Sequence, residues 1–187
     1  SQADIAYFYG CSSDLFAVPI VDSLIAIARH NDWKVSLPPQ RCCGEPFAAA
    51  GNAEEYHRLA RYNIDQLADF KHVVAHCPSC ILAFKEYAQD FARIGDTAYE
   101  QKAREIVNKL YDPAQFIMKA IGPNNLKPAQ NETKQKVAVH VSCHEKLGHK
   151  ITASTNYTRD LLNLIPGLEV VGMKGADECC GQGGPWG

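Results

Sequence analysis

Two stretches of the chain set cysteines side by side: Arg41-Cys42-Cys43-Gly44-Glu45 and Glu178-Cys179-Cys180-Gly181. Adjacent cysteines cannot join each other without strain, so a repeated pair points to something that both sulfurs hold in common, and a metal centre is the plainest candidate. Thirty residues intervene between Cys11 and the first pair, and thirty-three between that pair and Cys77-Pro78-Ser79-Cys80. Five thiols are therefore available to one site. Thirty-five residues separate Cys143 from Cys179, so the lone cysteine followed by a pair occurs twice. His140, His144 and His149 crowd around Cys143. Imidazole ligates zinc and some iron sites, so His144 is a candidate fourth donor beside Cys143, Cys179 and Cys180, although a solvated or hydrogen-bonded ring is the commoner fate of a histidine.

Four chemistries compete for these thiols. Inert buried cysteines would not fall into two matching patterns. A structural zinc needs four sulfurs and leaves one of the five over, and zinc sites usually pair two CxxC knuckles where only one is present here. An ordinary cubane cluster uses four cysteines in a compact run, which is absent. Five thiols favour a cluster with unusual ligation or with an exchangeable ligand.

The elements that must carry them repeat as well. Residues 5–10 (IAYFYG) read as a buried strand whose tip holds Cys11. Ser12 or Ser13 is placed to cap a following helix carrying Phe16, Ile20, Leu24 and Ile27, with Pro19 marking a kink or a later start. Residues 33–37 read as a second strand, stopped by Pro38-Pro39 before the double-cysteine loop, where Gly44 is expected to let the backbone approach a bulky ligand. A helix capped by Asn52 carries Tyr56, Leu59, Ala60, Asn63, Ile64 and Leu67, with His57 on its solvated side. Residues 72–76 form a third strand leading to Cys77, and Pro78 suits the first position of a helix, which places both thiols of the CxxC on its opening turn, at the positive end of its dipole. A long helical pattern over residues 97–121 is broken near Asp112-Pro113. Residues 122–135 (GPNNLKPAQNETKQ) read as a linker. The pattern then restarts, with a strand over 136–142 ending at Cys143, a helix over 157–164 and a strand over 168–173 leading to Cys179. The expected organisation is a first domain over 1–121 with the complete five-cysteine site, a linker over 122–135, and a second, incomplete domain over 136–187. The expected fold class is α/β, two pseudo-repeats with short, mostly parallel sheets flanked by helices.

Composition narrows the rest. The 187 residues are 46% hydrophobic and 21% charged, as in an ordinary globular protein, with room for one core or two small ones. A net charge of -2 and a pI near 6.4 give no electrostatic reason to expect nucleic acid. No apolar run approaches the ~20 residues of a membrane span, so no direct span and a cytoplasmic location are expected. Residues 181–187 (GQGGPWG) lack the Lys-Ser/Thr and the helix of a phosphate loop. There is no Rossmann glycine fingerprint, flavin motif or haem CxxCH.

Cys11, Cys42-Cys43-Gly44, Cys77-Pro78-Ser79-Cys80, Cys143 and Cys179-Cys180-Gly181 together resemble the tandem cysteine-rich "CCG" domains. These occur in the disulfide-cleaving component of heterodisulfide reductase, in the iron–sulfur subunits of anaerobic glycerol-3-phosphate dehydrogenase and glycolate oxidase, and in lactate-utilisation proteins. The likeness covers essentially the whole chain, and HVSCHEKLGHK, LLNLIPGLEV and CCGQGGPWG look most like the glycerol-3-phosphate branch. The resemblance implies that Cys11, Cys42, Cys43, Cys77 and Cys80 bind one 4Fe–4S cluster, non-cubane in the heterodisulfide reductase case. It also implies a zinc or second iron–sulfur site at Cys143, Cys179 and Cys180. The implied role is an electron-transfer subunit in anaerobic respiration, partnered by a flavin dehydrogenase or other redox subunits and a quinone-linked membrane subunit. The two alternatives are a disulfide reductase half-site and a zinc-stabilised interaction module. This sequence departs from the family pattern in holding neither the ferredoxin-type segment of the dehydrogenase branch nor a second CxxC.

Overall fold

The structure, a computed structural model, describes residues 4–15, 18–127, 134–149 and 156–181. Phe16 of the expected helix, residues 128–133 of the expected linker and the residues beyond Gly181 lie outside them. Its centre is strand β1 (Ile5–Phe8), buried at every position. After it come helices α1 (Gly10–Leu15) and α2 (Val18–His30), and then the short strand β2 (Val35–Ser36). Helices α3 (Glu45–Ala49) and α4 (Ala53–Leu67) lead to β3 (His72–Ala75), and α5 (Pro78–Arg93) and α6 (Thr97–Asn108) to β4 (Leu110–Tyr111). A short helix, α7 (Pro113–Gln115), runs into a π-helical turn over Phe116–Ile121.

The four strands lie in the order β2-β1-β3-β4, all parallel, with Ile5 opposite Val35 on one side and His72 on the other. Strands buried on both faces need helices on both, and alternation decides which residue meets which layer. Ala6, Phe8, Val73 and Ala75 face a core completed by Tyr56, Ile64 and Leu67 of α4, Ile81, Phe84 and Tyr87 of α5, and Ala103 and Ile106 of α6. Ile5, Tyr7 and Val74 face the opposite way, against Val21 and Leu24 of α2, Trp33 and Phe116. From β1 the chain steps to β2 on one side and then crosses to β3 on the other. The strand order therefore reverses between β1 and β3, and in such sheets the crevice for a ligand opens beyond the carboxyl ends of those two strands. Cys11 and Cys77 both follow those ends.

The second half has a separate parallel pair, β5 (Gln135–Ala138) with β6 (Leu168–Val171), Gln135 opposite Leu168. Helix α8 (Cys143–His149) packs against α5 of the first half, and α9 (Tyr157–Leu162) precedes β6. The fold is thus mixed α/β with two short parallel sheets flanked by helices.

Several expected boundaries move. Cys11 is not a strand tip but the second residue of α1, because Gly10 turns the chain at φ 70° directly after β1. Pro19 marks a later start, in the first turn of α2, and not a kink. The expected strand over 33–37 shrinks to β2, since only Val35 and Ser36 pair with β1, while Trp33 packs edge-on against Phe116. The strand over 136–142 ends at Ala138, so Cys143 opens α8 instead of closing a strand. The break near Asp112-Pro113 is present, but it also contains β4, which the helical spacing of Leu110 after Ala103 and Ile106 hides.

Candidate metal centre

Three backbone devices deliver five thiols to the β1/β3 crevice. Gly10 brings α1, and with it Cys11, so close to the CxxC turn that a Cβ at position 10 would lie 3.1 Å from the Cys80 Sγ. Cys42 and Cys43 end an irregular stretch before α3, where Gly44 sits at φ 92°. Gly44 is needed for its left-handed backbone and for a neighbour that is not a ligand: a Cβ there would meet the Tyr56 ring at 2.8 Å. Cys77 is the N-cap of α5 with Pro78 at its first position, so Cys80 falls in the opening turn, as its sequence requires.

The sulfurs form a continuous run. Cys11 Sγ lies 3.6 Å from Cys42 Sγ. Beyond it Cys42 neighbours Cys43, Cys43 neighbours Cys80, and Cys80 neighbours Cys77. Cys43 and Cys80 are buried, Cys42 and Cys77 half-buried, and Cys11 exposed, so the run leads from the core to the surface. Among the described residues no three His, Cys, Asp or Glu side chains are set to hold one metal ion. The five sulfurs are strung out in a chain and do not converge on a single point.

Protonation alternates along that chain. Donation from the Cys42 and Cys80 thiols, helped by the Glu45 N–H, pulls Cys43 down to about 4 against the cost of burial. Cys77, accepting from Cys80, falls to about 6. Cys42 and Cys80 are pushed up, chiefly because each gives its proton to a neighbouring sulfur and then because of burial. A set already partly ionised and held by N–H donors suits a cation-bearing group, which would displace the remaining protons.

Side chains that sequence reading passes over hold the crevice together. His76 Nδ1 lies 2.6 Å from the Tyr7 hydroxyl and its Nε2 lies 2.5 Å from the Ser13 hydroxyl, tying β1, α1 and the end of β3 into one unit. Ser13 is thus buried beside His76 and is not a helix cap. Gln40 Oε1 accepts from the Tyr9 and Gly10 N–H groups at 2.9 and 3.1 Å. Asn63 Oδ1 accepts from Arg41 N at 2.9 Å, and its Nδ2 donates to the carbonyls of Arg41 and Cys42 at 3.2 and 3.1 Å. The Tyr87 hydroxyl donates to the Cys43 carbonyl at 2.5 Å. None of these contacts has a short-range signature; each joins residues at least twenty positions apart.

The second cysteine set is arranged differently. Cys143, Cys179 and Cys180 are all exposed, and Gly181 N donates to Cys179 Sγ at 3.4 Å. Ser142 and Glu145 form a reciprocal capping box at the start of α8, with bonds of 3.1 and 3.3 Å. His144, the expected extra ligand, turns instead to the first half, its Nδ1 lying 2.7 Å from the hydroxyl of Ser79 inside the CxxC. His140 Nε2 is engaged at 2.9 Å by the Glu178 carbonyl, and the side chain of His149 lies outside the described residues. His57 is not simply solvated: it stacks against Tyr56 and Phe91, and burial lowers its pKa. With Tyr56, Asp90, Arg93 and Ile94 it lines a cavity of about 210 Å³ that no cysteine reaches.

The comparisons with known proteins agree with this arrangement of motifs. The cysteine-rich domain model CCG matches residues 5–85 and 137–185, one segment around each cysteine set. The chain is 29% identical over 181 residues to lactate utilization protein A 1 of Bacillus mycoides, covering 96% of this chain and 71% of that protein. It is 30% identical over 182 residues to lactate utilization protein A of Macrococcus caseolyticus, with 96% and 71% covered, and 29% identical over 184 residues to that of Anoxybacillus flavithermus, with 97% and 73% covered. These relatives bear the lactate-utilisation name, in place of the glycerol-3-phosphate name that HVSCHEKLGHK, LLNLIPGLEV and CCGQGGPWG suggest. With two thirds of its length matched in two segments that each hold a double cysteine, the chain belongs to the cysteine-rich CCG domain family.

Proposed function

We propose that the chain is an iron–sulfur electron-transfer subunit of a multi-subunit dehydrogenase, with Cys11, Cys42, Cys43, Cys77 and Cys80 as ligands of one cluster. The observation that carries this reading is the unbroken run of five sulfurs at the carboxyl ends of β1 and β3. A run of this kind suits an extended inorganic core better than one tetrahedral ion, for which four converging donors suffice. The bound cluster would supply reversible one-electron transfer. The chain's own residues do the rest. The N–H groups of Gly44 and Glu45 donate to the Cys42 and Cys43 sulfurs, and the opening turn of α5 turns its unpaired N–H groups toward the thiolates, both of which favour their negative charge. Burial of Cys43 and Cys80 keeps water from one side, while exposed Cys11 leaves the other open to a partner.

The names of the relatives support a part in lactate utilisation. In this reading the chain works beside other redox subunits, one of them flavin-bearing. Among the described residues no helix is long and apolar enough to cross a membrane. Domain limits of 1–121, 122–135 and 136–187 fit this reading once the second boundary is drawn back to the start of β5 at Gln135, with the complete site in the first domain and a second zinc or iron–sulfur site at Cys143, Cys179 and Cys180. The exposure of Cys11 also favours a second reading, in which a substrate disulfide meets the cluster there. Anaerobically loaded protein, oxidised and then mixed with a small thiol, separates the two: an unchanged paramagnetic signal supports a relay, and a new signal replaces it with the disulfide reductase.

A further inference from the structure

We infer that Asn63 is the positioning residue of the double-cysteine loop: its side chain supplies the hydrogen bonds that set the direction of the Cys42 and Cys43 sulfurs. The inference deepens the reading above and rests on it for its purpose, though not for its geometry. Residues 37–43 have no regular structure, yet they run between α4 and the crevice, where Cys43 is 3% exposed. Buried backbone groups in such a stretch must find partners other than a strand or helix ladder. Asn63 is 1% exposed, projects from α4, and makes three bonds to this loop: its Oδ1 accepts from Arg41 N, and its Nδ2 donates to the Arg41 and Cys42 carbonyls. Tyr87 holds the next carbonyl, that of Cys43. Four successive peptide units, from 40–41 to 43–44, are thereby held from the core side.

The consequence lies in where the sulfurs point. Cys42 reaches Cys11 on one side and Cys43 reaches Cys80 on the other, while the two sulfurs also neighbour each other. The double cysteine thus joins one thiol of α1 to one of α5. Hydrogen bonds that hold the backbone of residues 41 to 43 keep that arrangement in place. A polar residue in the core face of α4 would otherwise cost stability, since an apolar side chain of the same size would pack there without needing partners.

Phenylarsine oxide tests this on the whole chain without metal, because it must bond two neighbouring sulfurs at once. Asn63→Asp keeps the acceptor for Arg41 N and loses both donors, and Asn63→Leu loses all three bonds. With the fold checked by circular dichroism and cooperative melting, capture across Cys11 and Cys42, mapped by peptide mass, should slow by about tenfold in the Asp variant and further in the Leu variant. Arg58→Ala, on the exposed side of the same helix, should react at the wild-type rate. Wild-type rates in the folded Asn63 variants overturn the inference. Hydrogen exchange on the unaltered chain provides a readout that needs no variant: the Arg41 amide should exchange at least tenfold more slowly than a free loop amide, and unprotected exchange there also overturns it. Iron loading is measured in parallel. A wild-type chain that takes up no iron and sulfide defeats the proposed function, whereas the arsenical and exchange results still decide the role of Asn63.

Discussion

Replacing Gly10 by alanine tests the closeness of β1's end to the CxxC turn. Gly10 has φ 70°, in the left-handed region, where a side chain costs roughly 1 kcal/mol relative to glycine. Its new Cβ would lie 3.1 Å from the Cys80 Sγ, and that sulfur belongs to a side chain only 4% exposed, held between Cys43 and Cys77. Forcing such a neighbour aside is overpacking, worth roughly 1–3 kcal/mol. Gly51 provides the comparison: its φ is 78°, but a Cβ there meets nothing within 4 Å. Gly51→Ala should therefore cost only the backbone term. For a chain of this size each kcal/mol moves the thermal midpoint by roughly 2–4 °C, so Gly10→Ala should melt some 4–16 °C below wild type and Gly51→Ala some 2–4 °C below it. Reduced, metal-free protein followed by circular dichroism at 222 nm suffices for the assay. Equal midpoints for the two variants would show that Cys80 has room to spare and would refute the tight junction between α1 and α5.

Two further outcomes follow from the same contacts. Burial lowers the pKa of His57, His72 and His76, and the Nδ1 of His72 has no hydrogen-bond partner. The unfolded chain thus takes up protons at these rings first, so their contribution to stability is complete above about pH 6.5 and declines as pH falls toward their folded values. Glu45, Glu86, Asp112 and Glu145 are raised by burial and act with the opposite sign, their contribution being complete at low pH and lost as pH rises through their folded values. Proton NMR of the imidazoles should give midpoints below 6.5 for all three histidines, and midpoints at or above that value would contradict their burial. Cys77→Ser should abolish or convert the cluster spectrum of loaded protein while Cys179→Ser leaves it intact; loss of the spectrum in the second variant would show that the two cysteine sets are one site.

Much of this site can be read along the chain, because its signals are local. Pro78 after Cys77 announces a helix start, and Asn52, whose side chain accepts from Glu55 N at 3.2 Å, announces another. The apolar run IAYF, all four residues enclosed, marks a central parallel strand. What escapes is set by distant partners. Leu110 continues the apolar spacing of α6, and only its pairing with Val73 makes it a strand. Ser13 has the chemistry of a cap but is bound by His76, sixty-three positions away. Asn63 reads as one more residue of an amphipathic helix until the loop at 41–43 is seen folded against it. His144 stands next to Cys143 in sequence, yet the packing of α8 on α5 delivers it to Ser79.

Iron and acid-labile sulfide counted in anaerobically purified protein test most directly whether the five thiols hold one inorganic core. About four irons and four sulfides per chain, with broad visible absorption, are predicted for the first site alone. A single zinc per chain, with no sulfide and no colour, would contradict it.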